Sequence, residues 1–436
     1  MSTNQFIKPI TTERRGALHI GGCDLVSLAR EYSTPLYVID ELTLRTVCRE
    51  YKEAFKDYEN IKMMYASKAL CTSAVTRILD EEGFGFDTVS SGEIYTVYKS
   101  GVDMSKVLFN GNNKTKEELE LALEVGVGRF SVDNFYEAEI LNKIALEKGK
   151  TADILLRITP GIECHTHDYI QTGQIDSKFG FDLERVDEII GLILNEYKNL
   201  NLKGIHAHIG SQIFEIKSYS DEVEILINEI QRINQKFGLN LTEMNIGGGL
   251  GVKYTDSDNP PGVNELASAV TGILDKYQQK FDIYIEPGRS IVSTSGVTLY
   301  TVGSSKVVQN GHKYVAVDGG MADNPRPSMY QAEYLAEVAN NTDGRELEEV
   351  TIAGRYCESG DILINKINLP KLVPGDIICV YNTGAYNYSM ASNYNRVGKP
   401  AMVLVNNSQS DIIVYRETLD NLIECDRIPN RLKKDV

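Results

Sequence analysis

The chain has 436 residues, more than a single hydrophobic core usually serves, so two domains are expected. Hydrophobic residues make up 42% and charged residues 24%, as in ordinary globular proteins, and a net charge of −16 disfavours nucleic acid or anionic membrane as partner while allowing an anionic small molecule in a local positive pocket. Nothing resembles a membrane span or a signal peptide, and seven scattered cysteines without a Cys-x-x-Cys pair point to a reducing, cytoplasmic compartment rather than to disulfides or structural zinc.

In chain order, a strand-like run at 35–39 comes first. Eight short apolar runs follow, at 62–66, 85–89, 107–110, 129–132, 154–158, 204–209, 243–246 and 283–286. Helix-period segments lie between them, among them 116–125, 135–148, 184–197, 219–237 and 263–281. Strand and helix alternating in this way imply parallel strands joined by crossover helices. Eight repeats over roughly 230 residues suit a closed (β/α)8 barrel of the TIM type. An open doubly wound sheet would show a Gly-x-Gly-x-x-Gly turn after its first strand, and none stands near Lys68.

Beyond Glu286 the texture changes. Short β-branched and aromatic runs appear at 296–302, 314–317, 348–353, 377–380, 401–405 and 411–415, separated by turns such as Asn310-Gly311, Asp343-Gly344 and Pro374-Gly375. These predict a mainly antiparallel β domain. The division expected is a barrel over 40–286, with 1–39 and 287–436 forming the β domain.

In such a barrel the chemistry sits at the C-terminal strand ends. Those ends collect Lys68, Asp87, Asn110, Asp133, Arg157, His208, the run Gly247-Gly248-Gly249-Leu250-Gly251 and Glu286-Pro287-Gly288-Arg289. A lysine held on a strand end can be desolvated, the setting in which an amine becomes a Schiff-base nucleophile. Consecutive glycines let backbone N–H groups turn toward a phosphate, although a tight strand-to-helix turn explains them equally well until Arg289 is added. Glu286 suits the nitrogen of a pyridine ring, or a salt bridge to Arg157 or Arg289. The pairs His165/His167 and His206/His208 raise a metal site, but no acidic or sulfur ligand stands at helpful spacing near the second pair, and no metal is assigned. His208 stacking on a ring is the preferred reading, with His206 an ordinary interior histidine.

In the second domain, Cys357-Glu358-Ser359-Gly360-Asp361 sets a thiol beside a carboxylate. Cys357 is a candidate proton donor, against the commoner fate of an inert buried cysteine. Arg326 and Tyr330 are candidates for holding a carboxylate, against the commoner fate of a solvated loop, and Tyr386 lies in a second glycine- and hydroxyl-rich stretch.

Seven motifs in order carry a resemblance over nearly the whole chain: Tyr65-Ala66-Ser67-Lys68-Ala69, Asp176-Ser177-Lys178-Phe179-Gly180, His206-Ala207-His208-Ile209-Gly210-Ser211-Gln212, the glycine run, Glu286-Pro287-Gly288-Arg289, Cys357-Glu358-Ser359-Gly360-Asp361 and Gly384-Ala385-Tyr386. By these the chain resembles the diaminopimelate decarboxylases, alanine-racemase-like (fold type III) enzymes that use pyridoxal 5'-phosphate. The resemblance implies conversion of meso-2,6-diaminopimelate to L-lysine and CO2. It implies that Lys68 carries the cofactor covalently, His208 stacks on its ring and Glu286 pairs with the ring nitrogen. Ser211, Gly248, Gly249, Gly288, Arg289 and Tyr386 would hold the phosphate. Arg289, Arg326, Tyr330, Glu358 and Tyr386 would hold substrate, and Cys357 would return the proton. It further implies a homodimer in which Cys357 and Glu358 come from the partner subunit. Arg355-Tyr356 before Cys357 departs from the family's usual proline and smaller apolar residue. The rival readings are a related decarboxylase acting on ornithine, arginine or carboxynorspermidine, and a non-catalytic pyridoxal-phosphate binder. The arginines Arg289 and Arg326 favour a diacid, and the Cys-Glu motif disfavours the binder.

Overall fold

The computed structural model describes residues 1–161, 178–277 and 279–433, so His165, His167, Cys164, Asp176 and Ser177 lie outside the described residues. The chain divides into two compact units. One contains Met1–Ile10, Leu42–Ser295 and Gly384–Ser389; the other contains Thr11–Glu41, Gly296–Thr383 and Met390–Val436.

The first unit is a closed barrel of eight parallel strands: β1 (Ile61–Ala66), β2 (Gly85–Thr88), β3 (Val107–Phe109), β4 (Arg129–Val132), β5 (Ala152–Thr159), β6 (Leu200–His206), β7 (Glu243–Asn245) and β8 (Asp282–Ile285). Each strand pairs with the next, and β8 closes onto β1 through Ile283 opposite Ile61. Helices return the chain after the first seven strands: α1 (Ser73–Glu81), α2 (Ser91–Lys99), α3 (Lys116–Val125), α4 (Phe135–Glu147), α5 (Val186–Asn195), α6 (Lys217–Phe237) and α7 (Val263–Leu274). Their starts are written in the sequence. Thr72, Ser90, Thr115 and Asn134 each accept a backbone N–H three residues on, and Glu118 completes a capping box with Thr115. Met64, Leu108, Leu155 and Tyr284 form one buried apolar cluster from strands around the ring. Apolar filling of this kind makes the barrel a packed core rather than a pore.

Two local expectations differ from the structure. The sixth strand ends at His206, not Ile209, so His208 stands on the loop beyond it. The helix expected over 263–281 stops at Leu274, because the chain must turn to re-enter the barrel at Asp282. Residues 1–10 group with the barrel rather than with the β unit: Asn4 donates to the carbonyls of Gly251 and Pro261, both at 2.8 Å, and Thr3 N–H donates to Glu50. Gly384–Ser389 does likewise, with Tyr386 N–H on the Ala69 carbonyl at 2.8 Å and Ser389 Oγ on the same oxygen at 3.0 Å.

The second unit is built on a mainly antiparallel sheet, as expected. In order its strands are Ile362–Pro370, Leu347–Ala353, Lys313–Val317, Gly296–Val307, Leu36–Asp40, Ala401–Asn406 and Gln409–Val414, with Ile377–Val380 on Gly296–Val307 and Ala336–Val338 beyond it. Two pairings are parallel: Lys313–Val317 with Leu347–Ala353, and Leu36–Asp40 with Ala401–Asn406. The early run near Pro35 is therefore an interior strand of this sheet. A small antiparallel sheet of Glu13–Arg15, Ala17–Ile20 and Cys23–Asp24 completes the unit. Among the described residues no helix is long and apolar enough to cross a membrane.

Candidate active site

Lys68 sits in a short 3-10 turn, Ser67–Ala69, directly after β1. Burial alone pushes its ammonium toward deprotonation, but Tyr386, Asp87 and Glu286 outweigh that effect and hold the pKa above the ordinary lysine value. The lysine is thus placed as expected, yet it keeps its proton more firmly than desolvation alone predicts.

Glu286 follows β8 and is held from several strands. Asn245 and Asn110 donate to its Oε1 at 2.7 and 3.1 Å, and His206 Nε2 lies 3.6 Å from its Oε2. Burial works against the carboxylate, yet His206 foremost, with His208 and Lys68, keeps Glu286 below the usual range. Its neighbour Asp87 goes the other way: burial and the Glu286 charge raise it well above a normal aspartate. Asn110 also donates to Asp87, at 2.5 Å. The site therefore keeps its negative charge on Glu286. In place of the alternative salt bridge to Arg157 or Arg289, Glu286 has His206 as its neighbour, an imidazole that burial pushes below its ordinary value, while Arg157 faces Asp133 at 3.8 Å. The reason is geometric, since β6 and β8 flank β7 and bring His206 and Glu286 together around Asn245.

His208 is driven well below the ordinary histidine value, first by burial and then by Lys68 and Arg157. A neutral ring results, and its Nδ1 accepts the Gly248 N–H at 3.3 Å. The imidazole is therefore tied to the glycine run. His206, by contrast, bonds through Nδ1 to Ser131 Oγ at 2.7 Å.

Arg289 is buried. Its Nη2 donates to Ser211 Oγ at 2.9 Å and its Nη1 to the Tyr254 hydroxyl at 3.0 Å, while the guanidinium stacks 4.6 Å from the Tyr386 ring centre. Tyr386 itself holds φ of +67°, a left-handed conformation that a non-glycine residue adopts only when its surroundings impose it. The Arg289 Nε has no hydrogen-bond partner. A buried cation with a donor to spare, a hydroxyl and a glycine run make a donor set that fits a phosphate dianion. With a lysine, an ionised carboxylate and a neutral imidazole in the same barrel, the residues fit pyridoxal phosphate. Among the described residues no group of three or more His, Cys, Asp or Glu is placed for a metal ion.

The remaining candidates belong to the β unit. Arg326 opens a short helix, Arg326–Tyr330, and its Nη1 donates to the Tyr334 hydroxyl at 2.5 Å; Tyr330 ends the helix half-buried. Cys357 and Glu358 are exposed on a turn, where Asn395 Oδ1 accepts the Cys357 N–H at 2.9 Å. Cys357 is thus a surface thiol of the single chain, not a buried inert one.

Sequence reasoning marked Asp87 and Asn110 as strand ends without giving them work, and it missed Asn245, Ser131 and Tyr254. The first four had the signal of a barrel-strand position. Tyr254 had none, because the loop after the glycine run is irregular.

Comparison with known proteins agrees with this chemistry. A family model described as the pyridoxal-binding domain of pyridoxal-dependent decarboxylases matches residues 44–293. A curated protein of Synechocystis sp. named diaminopimelate decarboxylase is 45% identical, covering 99% of this chain and 95% of its own. One of the same name from Bacillus subtilis is 43% identical, over 95% and 96%. The solved structure of diaminopimelate decarboxylase from M. jannaschii in complex with L-lysine matches with a TM-score of 0.92 at 36% identity, covering 98% of this chain and all of that one.

Proposed function

Because the chain belongs to the diaminopimelate decarboxylase family of pyridoxal-dependent enzymes, we propose that it converts meso-2,6-diaminopimelate to L-lysine and CO2, with the residues described above in the following roles. The observation that carries the reading is the convergence of Lys68, Glu286, His208 and the Arg289–Ser211 pair at one end of the barrel, together with full-length similarity to proteins of that name.

Lys68 is the residue that would hold the cofactor. Arg289, Ser211, Gly248, Gly249 and Gly288 would grip its phosphate, and Tyr386 would close the cradle. When bound, pyridoxal phosphate supplies an electron sink for the pair left on the substrate α-carbon as CO2 departs. Glu286, ionised and fixed by Asn110 and Asn245, would keep the ring nitrogen of the cofactor protonated. His208, neutral and tied to Gly248, offers a flat face without adding charge.

Arg326, Tyr330 and Glu358 would hold the distal amino-acid end of the substrate, and Arg289 and Tyr386 would also bind substrate. The Cys357 thiol would deliver a proton to the α-carbon, so that hydrogen replaces the lost carboxylate. Exposure of Cys357 and Glu358 in the single chain supports their serving a partner's barrel, which makes the enzyme a homodimer. As a biosynthetic enzyme it would act in the cytoplasm.

The test is lysine formation and CO2 release from meso-diaminopimelate, with ornithine and arginine as competing substrates and with or without added pyridoxal phosphate. Turnover of meso-diaminopimelate dependent on the cofactor is expected. Preference for ornithine or arginine overturns the substrate, and no visible absorbance on cofactor addition overturns the site.

A further inference from the structure

Two buried carboxyls of the β unit tie the turn that carries Arg326 to the turn that carries Cys357. Asp323 accepts the Gly320 N–H at 2.9 Å and the Tyr356 hydroxyl at 3.3 Å on Oδ1, and the Tyr300 hydroxyl at 2.6 Å on Oδ2. Its own carbonyl accepts the Tyr37 hydroxyl at 2.5 Å. Asp361 accepts the Met321 N–H at 2.6 Å and the Tyr356 N–H at 2.8 Å. Tyr356, the residue before Cys357, is thus fastened by its main chain to one carboxyl and by its side chain to the other. Arg355 N–H closes the same junction on the Gly319 carbonyl at 2.9 Å.

The junction is too tight for side chains at its crossing points. A Cβ at Gly320 would lie 2.4 Å from an Asp361 oxygen, and one at Gly354 only 2.1 Å. Both Asp323 and Asp361 are almost wholly buried, at 1% and 3% exposure. Burial first, then the nearby Asp361 charge, pushes Asp323 up to about 7. Burying two neighbouring carboxyls is costly, and an asparagine at position 323 would avoid one of the charges. The same position lies three residues ahead of Arg326, separated from it only by Asn324-Pro325.

We propose that Asp323 is a positioning residue that acts through Tyr356, holding in place the Cys357–Glu358 turn that this chain would present to its partner's barrel, so that the thiol stays aligned for proton delivery. This rests on the role proposed above for Cys357. Ionised Asp323 accepts from three donors. As pH falls through about 7 it takes a proton, and the longest of the three bonds, to Tyr356, is the first to weaken. The groups facing it are Tyr300, Tyr356 and Asp361, with Arg416 exerting a weaker attraction. Burial keeps both tyrosines protonated as donors.

The experiment compares Tyr356→Phe and Asp323→Asn with the wild-type holoenzyme. Tyr356→Phe removes one hydroxyl and serves if Asp323→Asn fails to fold. Both should keep the cofactor absorbance and lower kcat roughly threefold to tenfold, the range a single hydrogen bond supports, with Tyr356→Phe leaving KM close to wild type. The wild-type kcat should fall as pH drops below about 7, and Asp323→Asn should lose that limb. Iodoacetamide labelling of Cys357, read by peptide mass spectrometry, should change several-fold in both variants and needs no turnover. If wild type leaves meso-diaminopimelate untouched, the functional reading fails while the labelling still decides this one. Wild-type labelling rates and an unchanged pH profile in folded variants overturn the proposal.

Discussion

Gly248→Ala tests how closely the strand ends around the site are packed. A Cβ at position 248 would stand 1.9 Å from the Glu286 carbonyl oxygen and 2.8 Å from its carbon, about 1.5 Å short of the 3.4 Å at which ordinary contact begins. The obstacle is backbone, so no side chain can swing aside. Relief requires β7 and β8 to part where Glu286 N–H bonds the Gly247 carbonyl at 2.6 Å. Overpacking of this kind costs about 1–3 kcal/mol and loss of that bond about 1 kcal/mol more, so a total near 2–4 kcal/mol is expected. Gly272→Ala in α7 is the control, since a Cβ there meets nothing within 4 Å. It should stabilise the protein by about 0.5–1 kcal/mol through the ordinary helix preference for alanine. Urea unfolding reads both, as midpoint shifts in opposite directions with the slope unchanged. Pyridoxal phosphate titration should show weaker binding for Gly248→Ala alone, because Glu286 and the glycine run move together. Unfolding midpoints and cofactor affinity indistinguishable between the two variants would refute the packing argument.

Two further outcomes follow from buried charge. Lys114 donates to Glu137 at 2.7 Å and to the carbonyls of Gly111 and Ser131, with both side chains almost fully buried. Lys114→Met strands a carboxylate and should cost about 3–5 kcal/mol, while adding Glu137→Gln should recover much of it, as chemical denaturation will show. Glu286→Gln keeps the shape but removes the charge proposed to protonate the ring nitrogen. Its kcat should fall on the order of 10²-fold with folding unchanged, and steady-state kinetics within a few-fold of wild type would refute the role given to Glu286.

Much of this molecule was readable from one dimension. Strand and helix periods are local properties of side-chain order, and the eight barrel strands and the change of texture after Glu286 follow from them. Lys68, Glu286, Arg289 and His208 were findable because barrel topology sends every strand end to the same face. Chemistry at each end could therefore be added up without knowing distances.

What the tertiary structure alone decided is who faces whom. That His206 rather than an arginine stands beside Glu286, that Asp87 is pushed up while Glu286 is held down, and that Asn245 bonds Glu286 and Tyr254 bonds Arg289 all depend on residues far apart in sequence. So does the Asp323–Tyr356–Asp361 junction, whose members carry no pattern when read along the chain. Periodicity reports which face of an element is buried. Protonation and hydrogen-bond partnership depend on distances of a few ångströms between elements, and those exist only once the chain has closed.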